Sequence, residues 1–172
     1  MTPIVDLHFR RAEPGDADAM ALAHRDSIQS LGPACYPENV VDDWQEGLAG
    51  DVYRKAMRKG EVFFIATARV DAGSLVLGFS SDYVIEGSTH GASVYVRGVA
   101  ARRGIGSRLL AMAEEHAQSD GATRVAVEAS LTGVEFYKAN GFLETGRGET
   151  HLMSGRPIAC VFMSKELARP LR

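Results

Sequence analysis

The spacing of apolar side chains along this chain switches repeatedly between a period of two and a period near 3.6, and the switches mark its elements. Residues 7–12 alternate as a short strand. Pro14 and Asp16 then open a helix whose apolar stripe is Ala17, Met20, Ala21, His24, Ile28 and Leu31, stopped by Gly32-Pro33. His24 lies on that stripe and reads as a packed structural histidine. Over 38–59, Val41, Trp44, Leu48, Val52 and Met57 are spaced as two short helices broken near Gly47 and Gly50. The run Val62-Phe63-Phe64-Ile65-Ala66 predicts a buried strand over 61–70, Asp71-Ala72-Gly73 a hairpin turn, and 75–84 its partner strand. Gly87 and Gly91 bracket a further turn before a strand at 92–97.

The second half continues the alternation. A helix is expected over 104–119, and a strand over 124–130 carries Val125, Val127 and Ala129 on one face. Thr132-Gly133-Val134-Glu135 fits a capping box, with Thr132 as N-cap and Glu135 three residues on. The short helix it opens ends at Asn140-Gly141, and strands near 142–152 and 157–166 close the pattern. The fold class this predicts is α/β, a mixed sheet covered by helices, in the order βααβββαβαββ.

One junction carries candidate chemistry. Strand Val94-Tyr95-Val96 runs into Arg102-Arg103-Gly104-Ile105-Gly106-Ser107-Arg108, a basic turn with two glycines at a helix start. Glycine lets the backbone approach a ligand, and the first-turn N–H groups of a helix point outward unpaired. With the helix dipole and three arginines, such a turn suits a phosphate or pyrophosphate. It is not a P-loop, because no Lys-Ser or Lys-Thr follows the glycines. It is not a dinucleotide fingerprint either, since Leu109 stands where the third glycine belongs. An ordinary strand-to-helix connection with surface arginines is the plain alternative.

Composition changes the picture only by exclusion. At 172 residues the chain is read as a single domain over 1–172, with a net charge of −3 that argues against a general nucleic-acid binder. No apolar run is long enough for a membrane span, and the start lacks a signal-peptide core. Cys35 and Cys160 form no metal or redox motif, so reduced thiols in a cytoplasm are the expectation, with no metal. No membrane or nucleic-acid partner is expected, and a homodimer is left open.

The segment Arg103-Gly104-Ile105-Gly106-Ser107-Arg108-Leu109-Leu110 resembles the acyl-CoA pyrophosphate loop of the GCN5-related N-acetyltransferase (GNAT) superfamily. Some thirty residues on, Phe136-Tyr137-Lys138-Ala139-Asn140-Gly141-Phe142 resembles that family's second motif, and 9–17 resembles its first strand and helix entry. The element order is similar too. Departures fall on Ala101, where the family usually has Gln or Arg, on Arg102, where it often has Gly, and on Gly98, where a proline is common.

The resemblance implies transfer of an acetyl group from acetyl-CoA, as co-substrate, to an amine of a small molecule or peptide, by direct attack in a ternary complex. It implies cofactor contacts from Val94, Tyr95, Val96, Arg102, Arg103, Gly104, Ile105, Gly106, Ser107, Arg108, Ser130, Phe136 and Tyr137, with a backbone N–H of the 94–97 strand as oxyanion donor. It also implies Tyr137 beside the sulfur as general acid, where an unperturbed pKa near ~10 keeps the phenol protonated. Glu128, in an otherwise apolar strand, reads either as a base or as half of a buried pair with Arg124 or a backbone amide. Glu86, Asp82 and His90 could also reach the acceptor. Tyr36, Trp44 and Tyr83 are candidate acceptor walls, with plain packing as the alternative for each. The second functional reading is a catalytically weak acyl-CoA-binding regulatory module, and a third is an acetyltransferase acting on charged tRNA, disfavoured by the acidity.

Overall fold

The computed structural model describes residues 3–70 and 73–168. β1 (Val5–Arg11) leads through a 3-10 turn at Pro14–Asp16 into α1 (Ala17–Leu31). The turn carries a capping box, since Glu13 and Asp16 each bond the other's backbone. α2 (Glu38–Gln45) and α3 (Gly50–Arg58) follow, then the antiparallel run β2 (Val62–Val70), β3 (Gly73–Glu86) and β4 (Thr89–Val96). α4 (Ile105–Ser119), β5 (Arg124–Ser130), α5 (Val134–Ala139), β6 (Leu143–His151) and β7 (Pro157–Glu166) complete the order. Three helices therefore separate β1 from β2, as the long helix stopped at Gly32-Pro33 and the two short ones over 38–59 predicted, although the order βααβββαβαββ counts only two. The predicted turn at Asp71-Ala72-Gly73 falls on 71 and 72, outside the described residues.

The strands form a seven-stranded sheet in the order β1-β2-β3-β4-β5-β7-β6. All neighbours are antiparallel except β4 and β5, which run parallel, so the chain must cross the sheet through α4 between them. α1 and α3 cover one face of β1–β4, where Met20, Tyr53, Phe63, Ile65 and Phe79 form a core. α4 covers the other face, with Ile105 and Leu109 against Ala66, Ala68 and Leu77. α5 lies on the α4 side of β5, where Leu110, Val125, Val127, Tyr137 and Phe142 pack together.

The decisive irregularity lies between the two parallel strands. β4 and β5 pair only at Thr89–Arg124, His90–Val125 and Gly91–Ala126. Beyond Gly91, β4 stays paired to β3, while β5 stays paired to β7 as far as Ser130. The two halves of the sheet thus part along Ala92–Val96, and Val94, Phe136 and Tyr137 pack along the α5 side of the gap.

Two local expectations are corrected. α5 starts at Val134 with Gly133 as N-cap and no side-chain cap, because the Thr132 hydroxyl bonds Ser130 Oγ at 2.9 Å instead. The β3–β4 turn is tighter than predicted, and Gly91 lies inside β4. A Cβ there would stand 2.2 Å from Cζ of Tyr83, so the glycine clears the space in which that ring lies across β4.

Candidate active site in the split between the sheet halves

A cleft of about 890 Å³ runs through the split and is reached by side chains from both faces of the sheet. On the α4 side it meets the basic turn. Gly104 is the N-cap of α4 with φ +77, and no side chain caps the helix. The Arg108 N–H reaches back to the Gly104 carbonyl, so the amides before it have no intrahelical partner. Arg102 adopts φ 60, a left-handed conformation that costs a non-glycine residue roughly 1–2 kcal/mol. Where the resemblance has a frequent glycine, this chain thus places an arginine in a backbone conformation that glycine adopts freely.

Gly98 has a physical reason as well. Its N–H donates to Asp26 Oδ1 at 2.9 Å, and a Cβ there would meet Ser30 at 2.5 Å. Proline would lose the hydrogen bond and collide with α1.

Ala101, Arg102, Gly104, Gly106 and Ser107 line the cleft. Three expected contact residues of the turn are not among its lining. Ile105 is 2% exposed and anchors the turn in the core, and Arg108 points along the helix to Glu115 at 3.7 Å. Arg103 is half-buried.

Where the strands part, Val94, Tyr95 and Val96 line the cleft together with Ser130, Phe136 and Tyr137. The Tyr137 phenol is buried, and burial pushes its pKa well above the usual phenol value, opposed by a hydrogen bond with the Val94 backbone. It is therefore a protonated donor at any working pH. The Cys160 thiol also lines the cleft, and burial pushes its pKa up.

The opposite face supplies a different set of groups. Glu128 sits on the face of β5 turned away from α4 and α5, exposed rather than buried, and accepts a hydrogen bond from Thr150 Oγ1 at 2.6 Å. Arg124, one of the alternatives read for it from the sequence, is engaged by Glu166 at 2.6 Å, so that alternative is corrected. Tyr83 is 38% exposed beside Glu128, and its pKa is raised by burial first and then by the nearby charges of Glu61 and Glu128. Trp44 is half-buried and lines the cleft with Leu48.

Tyr36 is a correction. It lies outside the lining, packs edge-on under Trp44 at 5.5 Å, donates to the Ala159 carbonyl and accepts from the Leu131 N–H. Its ring thus ties the α1–α2 connection to β7 and the end of β5, which supports the wall without forming it. His90 and Asp82 are corrected too. Both are buried, His90 Nδ1 lies 2.7 Å from Asp82 Oδ1, and His116 of α4 lies 2.6 Å from Asp82 Oδ2. This group pins α4 to the sheet and takes no part in the cleft. Glu86 sits exposed at the hairpin.

Sequence reasoning missed His24 as a cleft residue. Its Nδ1 lies 2.7 Å from the Tyr53 hydroxyl, its ring stacks on Tyr95 at 3.6 Å, and Nε2 has no partner among the described residues. Burial lowers its pKa to about 3, so the ring is neutral. Thr150 was also missed, because nothing local links it to a carboxylate 22 residues away. Gly91 did carry a readable signal, an isolated glycine in a strand pattern. Among the described residues no cluster of His, Cys, Asp and Glu could hold a metal, and no helix is long and apolar enough to cross a membrane.

The family model for the acetyltransferase (GNAT) domain matches residues 33–167, which spans the split, the basic turn and α5. The chain belongs to the GNAT acetyltransferases. Among solved structures it is similar to a GCN5-related N-acetyltransferase from Rhodopseudomonas palustris, at 25% identity and TM-score 0.77, covering 97% of this chain and 99% of that one. The PaiA N-acetyltransferase from Thermoplasma acidophilum, solved with coenzyme A, shares the fold at 18% identity and TM-score 0.70, covering 95% and 100% of the two chains. A phosphinothricin acetyltransferase from Sinorhizobium meliloti, solved with acetyl-CoA, shares it at 18% identity and TM-score 0.69, covering 94% and 88%. No curated protein matches the sequence. The GNAT fold accounts for the order in which turn, split and short helix meet, whereas the face carrying Glu128 and Trp44 is built from residues the family motifs do not include.

Proposed function

We propose that this GNAT chain transfers an acetyl group from acetyl-CoA directly to the amine of a small molecule or peptide in a ternary complex. The observation that carries the reading is the split itself. An uncapped, glycine-rich helix start opens into the cleft from one face, and a carboxylate with an aromatic rim opens into it from the other. Two substrates can meet there without a covalent relay through the protein. The Cys160 thiol, held protonated by burial, is a poor candidate for such a relay.

Acetyl-CoA supplies a thioester with an electrophilic carbonyl carbon. The amides of 104–107 and the Arg102 guanidinium are the groups that fit its pyrophosphate, since no first-turn acid or side-chain cap competes for those donors. The β4 edge over Ala92–Val96 has lost its β5 neighbour and so offers backbone N–H groups to a developing oxyanion. Tyr137 is assigned to protonate the departing thiolate. Glu128 is assigned to the amine, which at neutral pH must lose a proton before it can attack.

The test is thiol release with a panel of amines, combined with initial rates at varied concentrations of both substrates. Intersecting double-reciprocal lines, and turnover retained in Cys160→Ala, are expected. Affinity for acetyl-CoA without turnover of any amine would favour a binding module, and parallel lines would favour a covalent relay.

A further inference from the structure

Charge is distributed unevenly over the cleft. Among its described lining residues Arg102 is the one Lys or Arg, and it stands at the cofactor turn. Of the two lining carboxylates, Glu135 belongs to α5, on the cofactor side, and Glu128 alone faces the acceptor side. Glu128 takes a hydrogen bond from Thr150 and makes no ion pair among the described residues, so it is available to a cation. Two arginines on the surrounding elements are held away from the cleft. Arg25 of α1 donates to the Leu48 carbonyl at 2.9 Å, and Arg156 binds Asp43 at 2.7 Å. His24, neutral in the working range, adds no charge.

Most of the remaining acceptor wall is apolar, formed by Ile28, Leu31, Trp44, Leu48, Leu152 and Met153, with Ser27, Thr150 and the exposed His151 as its polar side chains. Trp44, half-buried and supported edge-on by Tyr36, offers a large fixed ring face, and Tyr83 stands on the rim beside Glu128. An ammonium set between a carboxylate and an aromatic ring is held by both. A carboxylate or phosphate on the same molecule would meet no Lys or Arg among the described acceptor-side residues, only the solvent-exposed ring of His151, and a second ammonium would find no second carboxylate.

Resting on the acetyltransferase reading, we infer that the acceptor is a primary amine carried on one bulky apolar group, aryl or branched alkyl. It bears a single positive charge and no anionic group. This excludes free amino acids and polyamines and disfavours peptides, whose backbone would bring polar groups against the Ile28–Leu31 and Trp44–Leu48 walls.

The experiment measures thiol release from acetyl-CoA with four probes: 2-phenylethylamine, phenylalanine, spermidine and the tripeptide amide Ala-Gly-Gly-NH2. We expect kcat/KM for 2-phenylethylamine to exceed each of the others by at least about tenfold, because leaving a polar or charged group unpaired costs that much discrimination or more. Trp44 is the only tryptophan, so its emission reports acceptor binding by itself. Cyclohexylmethylamine should change it saturably in the CoA-bound protein, and Glu128→Gln should weaken that binding about tenfold or more, read as the shift of the titration midpoint. Preference for phenylalanine, spermidine or the peptide amide overturns the inference while leaving the acetyltransferase reading intact. So does the absence of both turnover and an emission change in a protein that acetyl-CoA stabilises. No stabilisation by acetyl-CoA and no thiol release with any amine would instead overturn the parent reading, and this inference with it.

Discussion

Gly106→Asp is the sharpest perturbation of the cofactor turn. A Cβ built at this position lies 3.1 Å from Cε2 of Phe136 and 3.5 Å from Cγ2 of Val96, so the Phe136 ring must shift by a few tenths of an ångström. The fold should tolerate this. Gly106 is in the first turn of α4, where a carboxylate meets the positive end of the helix dipole and gains about 0.3–1 kcal/mol. The same carboxylate occupies the place proposed for a pyrophosphate and repels it. Acetyl-CoA at 100 times its dissociation constant stabilises the native state by about 2.7 kcal/mol. For a domain of this size that is a Tm rise of about 5–11 °C. If the substitution weakens binding about 100-fold, the same ligand concentration leaves about 0.4 kcal/mol, or a rise near 1 °C. Differential scanning fluorimetry of both proteins, with and without acetyl-CoA, reads this directly. An apo Tm within a few degrees of the parent's, with the ligand shift cut to about 1 °C, is the expected result. A variant that keeps the full shift would show that the cofactor does not sit on this turn.

Three further outcomes follow from the geometry. Tyr137→Phe should lower kcat by about 10- to 100-fold while leaving the acetyl-CoA thermal shift intact, since the phenol is assigned to the leaving group and not to binding; unchanged kcat under rate-limiting chemistry would return Tyr137 to packing. Tyr36→Phe should cost about 1–3 kcal/mol in urea unfolding, because two part-buried hydrogen bonds, to the Ala159 carbonyl and from the Leu131 N–H, are lost, with both Michaelis constants nearly unchanged; a raised acceptor KM at unchanged stability would restore it as a wall. His24 has a folded pKa of about 3 against an ordinary value of 6.5. Its stabilising contribution is therefore full above about 6.5 and is lost as pH falls from there toward 3. Between pH 7 and pH 5 that amounts to about 2 kcal/mol. The pH dependence of urea unfolding should flatten by that much in His24→Gln, and equal slopes in the two proteins would contradict the burial argument.

The sequence by itself determined what depends on neighbours a few residues apart. Strand β5 at 124–130 and strand β7 at 157–166 stand where alternation put them, and α1 ends where Gly32-Pro33 stops it. The basic turn before α4 was legible because glycine spacing, arginines and a helix start act within one short segment. Thr132 shows the limit of that reading: the capping pattern was present, but the hydroxyl found Ser130 first, and the helix began one residue later.

Tertiary structure decided what depends on distant parts of the chain. Tyr36 and Trp44 were indistinguishable as aromatic wall candidates, yet Tyr36 is tied to a carbonyl 123 residues away and Trp44 is left facing the cleft. Glu128 looked costly in an apolar strand, but the sheet face it occupies is not covered by α4 or α5, so the carboxylate is exposed and pairs with Thr150 instead of Arg124. His90 and Asp82, plausible as acceptor groups, are consumed by a buried contact with His116. Above all, the split between β4 and β5 is written in no local period. It arises because one strand remains paired to β3 and the other to β7, and the side chains of α5 pack where a ladder would have closed. Backbone periodicity tells which face a residue takes along its own strand. Which neighbour that face meets is set by chain segments that come together only when the sheet assembles.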